Sequence, residues 1–149
     1  MPPKISVNLV KVKSWMPWLQ RVYPMLFGEA DSFPVKIDCL AVAFIDNEPV
    51  GWGSYQENEC DSAVFLNSCG VLPAARGRGI QRMLVRKRVN KARNMGFAWA
   101  YTYTHANNVH SSNNLIGCGF RMWRPPYWGG RIHPEIGKPW LYWCRETGV

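Results

Sequence analysis

The chain has 149 residues, 47% of them hydrophobic and 19% charged, and its 18 Lys and Arg against 10 Asp and Glu give a net charge of +8. That length suits a single domain with one core, and no apolar run approaches the roughly 20 residues that span a bilayer. The opening residues, Met1 to Ser6, lack the apolar stretch of a secretory signal, so a cytoplasmic location with no membrane partner is expected.

In chain order, residues 5–12 alternate apolar and polar side chains and predict a strand. Ser14 is the expected N-cap of a helix in which Trp15, Trp18, Leu19 and Val22 recur at helical spacing, and Pro24 is expected to end or kink it. Residues 28–36 hold Gly28, Asp31, Ser32 and Pro34 and read as a loop. Residues 39–45 form an apolar run, residues 46–49 a turn and residues 50–55 a returning strand, which predicts a hairpin. An acidic connection at 57–61 leads to an apolar strand over 63–72 that runs into Pro73. A loop rich in Gly and Arg follows, then a helix over about 80–95 closed by Gly96. Residues 97–104 read as an aromatic and β-branched strand, and residues 107–116 as a helix stopped by Gly117 and Gly119. Beyond Phe120 the chain is rich in Pro and Gly, with a last strand expected over 139–144. The order β-α-β-β-β-α-β-α with a short β-rich end predicts one α/β (α+β) domain over residues 1–149. Its sheet is expected to be mixed, mostly antiparallel and flanked by helices, and not doubly wound.

Charge is concentrated in one place. Arg76, Arg78, Arg82, Arg86, Lys87, Arg88, Lys91 and Arg93 stand with no acid among them, and the remaining ten basic and ten acidic residues cancel. Such a segment suits a polyanion, whether a nucleotide cofactor or a nucleic acid, or it is a solvated helix face. The five cysteines, Cys39, Cys60, Cys69, Cys118 and Cys144, show no C-x-x-C pair and no zinc spacing, so they read as reduced packing residues and no metal is expected. Trp15, Trp18, Trp52 and Trp99 fall in predicted elements and read as core. Trp123, Trp128, Trp140 and Trp143 cluster in the tail with Tyr127 and Tyr142, where they wall an acceptor pocket or pack a small sheet.

The sharpest local signal lies at residues 71–84, Val-Leu-Pro-Ala-Ala-Arg-Gly-Arg-Gly-Ile-Gln-Arg-Met-Leu, where a strand ends, a loop turns and a helix begins. The first N–H groups of a helix lack intrahelical partners, and together with the helix dipole they favour an anion. Gly77 and Gly79 carry no Cβ, so a phosphate can approach the backbone. A Walker A loop is absent, and a Rossmann fingerprint would need a glycine where Arg82 stands.

This segment resembles motif A of the GNAT acetyltransferases, Q/R-x-x-G-x-G/A, with Arg76 at its first position and Gly79 at its fourth; Gln81 departs from the last. Leu84, Ala92 and Gly96 continue the likeness along the helix, while Arg88 falls where an apolar residue is usual and, with Gln81, interrupts the face shared by Leu84, Val85, Val89 and Ala92. A second stretch, Asn108-Val-His-Ser111 through Gly119-Phe120, resembles the family's later N-x-x-A/S helix ending in Gly-Phe. The resemblance covers residues 39–121 best and implies a GNAT-like fold and acetyl transfer from acetyl-CoA to a primary amine. It implies main-chain contacts to pantetheine from Cys69 and Val71, a pyrophosphate cradle from Arg76, Gly77, Arg78, Gly79, Ile80 and Gln81, and further contacts from Asn108 and Ser111. The family often has a proton-donating Tyr where this chain has Leu115.

Catalytic candidates are His105, whose ring suits proton transfer, and Tyr103 on the same side of its strand; His110, Glu57 and Glu59 are weaker. The acceptor is left open among a small molecule, a protein amine and a nucleobase amine, and the oligomeric state is open as well, a homodimer included. The alternative is a non-catalytic binding protein on the same fold whose basic helix grips nucleic acid or an acidic partner.

Overall fold

The computed structural model describes residues 1–28, 33–34, 36–123 and 140–149. Its strands are β1 (Ile5–Val10), β2 (Cys39–Ile45), β3 (Glu48–Asn58), β4 (Ala63–Val71), β5 (Trp99–His105), β6 (Arg121–Met122) and β7 (Trp140–Glu146). Its helices are α1 (Val12–Phe27), α2 (Ile80–Asn94) and α3 (Val109–Gly117), with short 3-10 turns at Glu59–Asp61 and Pro73–Ala75. Strand neighbours run β1-β2-β3-β4-β5-β7-β6. The β4–β5 pairing is parallel, and β1–β2, β2–β3, β5–β7 and β6–β7 are antiparallel. The expected order of elements and the mostly antiparallel mixed sheet are both observed.

The chain forms two compact units, residues 1–56 with 66–88 and residues 57–65 with 89–149. In the first, the two-residue period of β2 sends its side chains to opposite faces. Leu40 and Val42 join Trp52 and the α1 residues Leu19, Val22 and Tyr23 in one buried cluster. Ala41 and Ala43 pack against Ala75, Ile80 and Leu84, where the chain enters α2.

Several boundaries differ from expectation for identifiable reasons. Helix α1 starts at Val12 with Lys11 at its N-cap and no side-chain capping bond, so Ser14 lies inside it. It also passes through Pro17 and Pro24 to Phe27, with the Gly28 N–H bonding the Pro24 carbonyl. Each interior proline removes one ladder bond, and burial of Leu19, Val22 and Tyr23, with Trp15 and Trp18 packed beside them, outweighs that loss. The hairpin turn is tighter than expected. Asp46 and Asn47 both take positive φ, 48° and 69°, and Ile45 faces Glu48 directly. That two-residue turn with both central residues left-handed matches the twist of the strands it joins. Pro49 therefore lies within β3, beside the irregularity between Ala43 and Phe44, where a proline is tolerated.

In the second unit, β5 pairs with β7 from Trp99 opposite Glu146 to His105 opposite Trp140. The Trp143 Nε1 donates to Thr104 Oγ1 at 2.9 Å, and Thr104 Oγ1 lies 3.1 Å from Ser112 Oγ, which ties α3 to the sheet. Tyr101, Tyr103 and His105 alternate to the other face, where Phe65 stacks on Tyr101 at 5.2 Å and on Tyr103 at 5.5 Å. Trp99, expected in the core, is exposed, because it opens β5 beside Ala63 and Glu146 at the end of the ladder. Trp143 is buried, whereas Trp123 is exposed; Tyr127 and Trp128 lie outside the described residues.

All five cysteines are free. Cys60 is exposed in the turn Glu59–Asp61, and Cys39, Cys118 and Cys144 are buried. Burial pushes the Cys69 thiol up, and the Arg88 guanidinium beside it pulls the other way. Because the thiolate is the reactive form, limited iodoacetamide treatment at neutral pH is expected to alkylate Cys60 ahead of the other four. Peptide mass mapping reads the order, and early modification of Cys69 would contradict its enclosure.

Candidate cofactor-binding site

Strand β4 delivers the chain to the cradle. At its end the Leu72 N–H donates to the Val50 carbonyl at 2.8 Å, and the Arg76 Nε donates to the Val71 carbonyl at 3.1 Å. The first of the two predicted arginines is thus folded back onto the strand, clamping the loop that Pro73–Ala75 begins. Arg76, Gly77, Arg78 and Gly79 are exposed, while Ala75 and Ile80 on either side are buried. The loop is held at both ends and open along its length.

Gly77 and Gly79 have φ of 81° and 75°, the left-handed region that favours glycine. A Cβ built on either would meet no atom within 4 Å, so open space lies where a ligand would approach. Helix α2 then starts, with the Met83 N–H donating to the Gly79 carbonyl at 3.2 Å. The preceding N–H groups of the first turn precede the intrahelical ladder, and no acid stands in that turn to oppose an anion. This donor set fits the diphosphate of a coenzyme A molecule, with Ile80 as the buried anchor of the helix end and Gln81 half-buried beside it.

Cys69 and Val71, predicted to serve through their main chain, lie on β4 with side chains packed beside Ala41, Ala43, Ile80 and Leu84. Close to the cradle, Arg88 is buried in a way the sequence signalled only as a charge interrupting an apolar helix face. Arg88, on the sixth residue before the end of α2's last turn, is only 2% exposed. Its Nε donates to the Leu84 carbonyl at 3.1 Å, and its Nη1 donates to the carbonyls of Ser54 at 2.9 Å and Ser68 at 3.2 Å. Ser54 Oγ lies 2.6 Å from both Asn67 Oδ1 and Ser68 Oγ, and Trp52 Nε1 donates to Ser68 Oγ at 3.2 Å. Gly53 makes room for the guanidinium, since a Cβ there would lie 2.6 Å from Arg88 Nε. The sequence signal was present as a charge interrupting an apolar helix face. Of the eight clustered cations, Arg88 is the one the fold takes inside.

The remaining predicted residues belong to the second unit. Asn108 is the N-cap of α3, its Oδ1 accepting from the Ser111 N–H at 3.2 Å, so these two residues are paired with each other. Asn108→Ala is expected to cost about 1 kcal/mol through loss of the cap, and Asn108→Asp to restore it. Thermal melts of the two variants check this. Leu115, at the position of the family's usual Tyr, is buried and serves packing. His105 is the last residue of β5, not a residue beyond it; its ring lies 5.5 Å from Trp140, and its Nδ1 accepts from the Asn107 N–H at 3.4 Å. Tyr103 is half-buried among Phe65, Trp140 and Tyr142. His110 Nε2 lies 3.3 Å from Asn114 Nδ2, within α3. Glu57 lies in β3 and Glu59 in the turn that follows.

Comparison with known proteins agrees with the fold. A family model described as the acetyltransferase (GNAT) family matches residues 12–120. No curated protein sequence matches the chain at a significant level. Among solved structures, the ribosomal-protein-S18-alanine N-acetyltransferase of Escherichia coli superposes with a TM-score of 0.74 at 11% identity, covering 98% of this chain and 96% of that one. An IAA acetyltransferase from Bacillus cereus gives 0.74 at 17%, covering 96% and 99%. A Bacillus subtilis acetyltransferase in complex with CoA gives 0.69 at 14%, covering 97% and 99%. At these identities the likeness is one of fold. No helix among the described residues is long and apolar enough to cross a membrane.

Proposed function

The chain belongs to the acetyltransferase (GNAT) family, and on that premise we propose that it transfers an acetyl group from acetyl-CoA to a primary amine. The observation that carries this reading is the cradle, where two left-handed glycines face open space at the N-terminus of a helix with no acid in its first turn. Backbone N–H groups of residues 77–81 hold the diphosphate, and Arg78, exposed beside them, adds charge. Arg76 fixes the loop through the Val71 carbonyl. The main chain of Cys69 and Val71 aligns the pantetheine arm.

Acetyl-CoA supplies an activated thioester. The tasks left to the protein are to present a neutral amine, to offer hydrogen bonds where negative charge develops and to return a proton to the departing sulfur. His105 has a ring suited to proton transfer in these steps. Tyr103 has a phenol with a proton to give, and it takes the role that Leu115 cannot.

The test is calorimetric titration with acetyl-CoA at moderate salt, where saturable binding near micromolar is expected. Thiol release is then followed with a panel of amines, peptide α-amines first, given the fold shared with an enzyme named for a protein alanine. No binding of acetyl-CoA, longer acyl-CoAs or free CoA would reject the reading. Buried Leu115 favours a second reading, a binding protein without turnover; acetyl-CoA binding with no thiol release from any amine would select it.

A further inference from the structure

Arg88 is buried where the family resemblance leads one to expect an apolar side chain, and its setting is specific. One nitrogen, Nη1, donates to two carbonyls on neighbouring strands, Ser54 of β3 at 2.9 Å and Ser68 of β4 at 3.2 Å. Hydrogen bonds from a charged donor are about twice as strong as neutral ones, and a buried guanidinium that lost its acceptors would be costly. Arg88 therefore ties both carbonyls to α2.

The consequence for β4 follows from the planarity of the peptide. The Ser68 carbonyl and the Cys69 N–H belong to one trans peptide unit, so they point in opposite directions. With the Ser68 carbonyl bonded to Arg88 Nη1 on one side of the strand, the Cys69 N–H points to the opposite side. Among the described residues, the β4–β5 ladder engages β4 at Ala63–Phe65, short of Cys69. Polarisation adds to the aim. A carbonyl that accepts a charge-assisted bond makes the N–H at the other end of its peptide a better donor, the cooperative effect seen in hydrogen-bonded chains.

We infer that Arg88 is a positioning residue for the donor substrate, acting through the Ser68–Cys69 peptide to orient and strengthen the Cys69 N–H that receives the pantetheine arm. The inference rests on the acetyl-CoA reading of the cradle but concerns a different part of the ligand. Arg88 touches neither the diphosphate nor the reacting atoms. Gly53 belongs to the same device, because only a residue without a Cβ leaves room for the guanidinium at that point of β3. The polar cluster of Ser54, Asn67 and Ser68 surrounds the pair of carbonyls, and Asn67 Nδ2 in turn donates to the Lys36 carbonyl at 2.8 Å.

The experiment separates the pantetheine arm from the nucleotide. Wild type, Arg88→Met and Arg88→Lys are titrated with acetyl-CoA and with adenosine 3′-phosphate 5′-diphosphate, which fills the cradle but has no pantetheine. Arg88→Met is expected to weaken acetyl-CoA about tenfold and the nucleotide less than twofold, with Arg88→Lys between wild type and Met for acetyl-CoA. Equal losses for both ligands, or no loss for either, would overturn the role. Should Arg88→Met fail to fold, Arg88→Lys is compared with wild type by amide NMR, where the Cys69 N–H shift on acetyl-CoA binding is expected to be smaller in Arg88→Lys, and equal shifts would reject the role. The Cys69 N–H resonance is expected to shift with acetyl-CoA and to stay in place with the nucleotide, and a resonance that acetyl-CoA leaves unmoved would reject the inference. Failure of the wild type to bind acetyl-CoA at all would instead remove the functional reading beneath it.

Discussion

Gly79→Asp is expected to lower acetyl-CoA affinity at least tenfold, about 1.4 kcal/mol, while the protein stays folded. The space beside Gly79 is open, so the new side chain meets no protein atom within 4 Å. The loss therefore arises on the ligand side, where a carboxylate occupies the approach to the helix N-terminus and repels a diphosphate. Backbone strain contributes separately, because φ is 75° and an L-residue in that region costs roughly 1–2 kcal/mol. Gly79→Ala carries most of the strain without the charge, so the difference between the two variants isolates repulsion. Calorimetry gives the affinities and a thermal melt gives the strain. Unchanged affinity in a folded Gly79→Asp protein would sink the cradle assignment.

Trp52→Ala should be the most destabilising single truncation in the first unit, by about 3–5 kcal/mol. The ring is fully buried. It meets Trp18 at 6.0 Å and Phe27 at 6.1 Å edge to face, and Tyr23 at 6.0 Å. Its indole N–H is bonded to Ser68, and its six-membered ring lies over Gly70, where a Cβ would sit 2.4 Å away. Removing the ring empties the centre of the cluster under α1 and leaves Gly70 facing a void. For a chain of this length the loss corresponds to a fall in Tm on the order of 10 °C. A change below about 1 kcal/mol would mean that the ring is not the centre of this core.

The cradle was legible because everything that makes it lies within about a dozen consecutive residues. A strand running into Pro73, two glycines, two arginines and a helix start can be read without knowing what packs behind them. The hairpin, the order of elements and the end of α2 at Gly96 were legible for the same reason. Arg88 was visible as an oddity, but its meaning was not. Its acceptors stand 34 and 20 positions away in the chain, and only the folded sheet brings Ser54 and Ser68 to one nitrogen. Helix α1 starts at Val12 and not after an N-cap at Ser14, and it continues through Pro24 to Phe27, because the aromatic cluster with Trp52, which no local rule sees, holds it together. Trp99 was placed inside on side-chain type alone, and its position at the first residue of β5 leaves it to solvent. Asn108 also caps α3, a duty that its place ahead of the helix allowed but the sequence reading did not name.

Arg88 also bears on how the fold chooses its own register. Apolar side chains such as Leu84 and Val85 tolerate sliding, because one methyl group packs about as well as another. A guanidinium whose acceptors are the carbonyls of Leu84, Ser54 and Ser68 does not. If α2 turned by one residue, about 100°, the charge would leave those oxygens and either strand in the apolar layer or draw the helix off the sheet. One buried charge thus penalises the near-miss packings that a purely oily interface would allow, and the register it enforces is the one that sets the first turn of α2 at the end of β4.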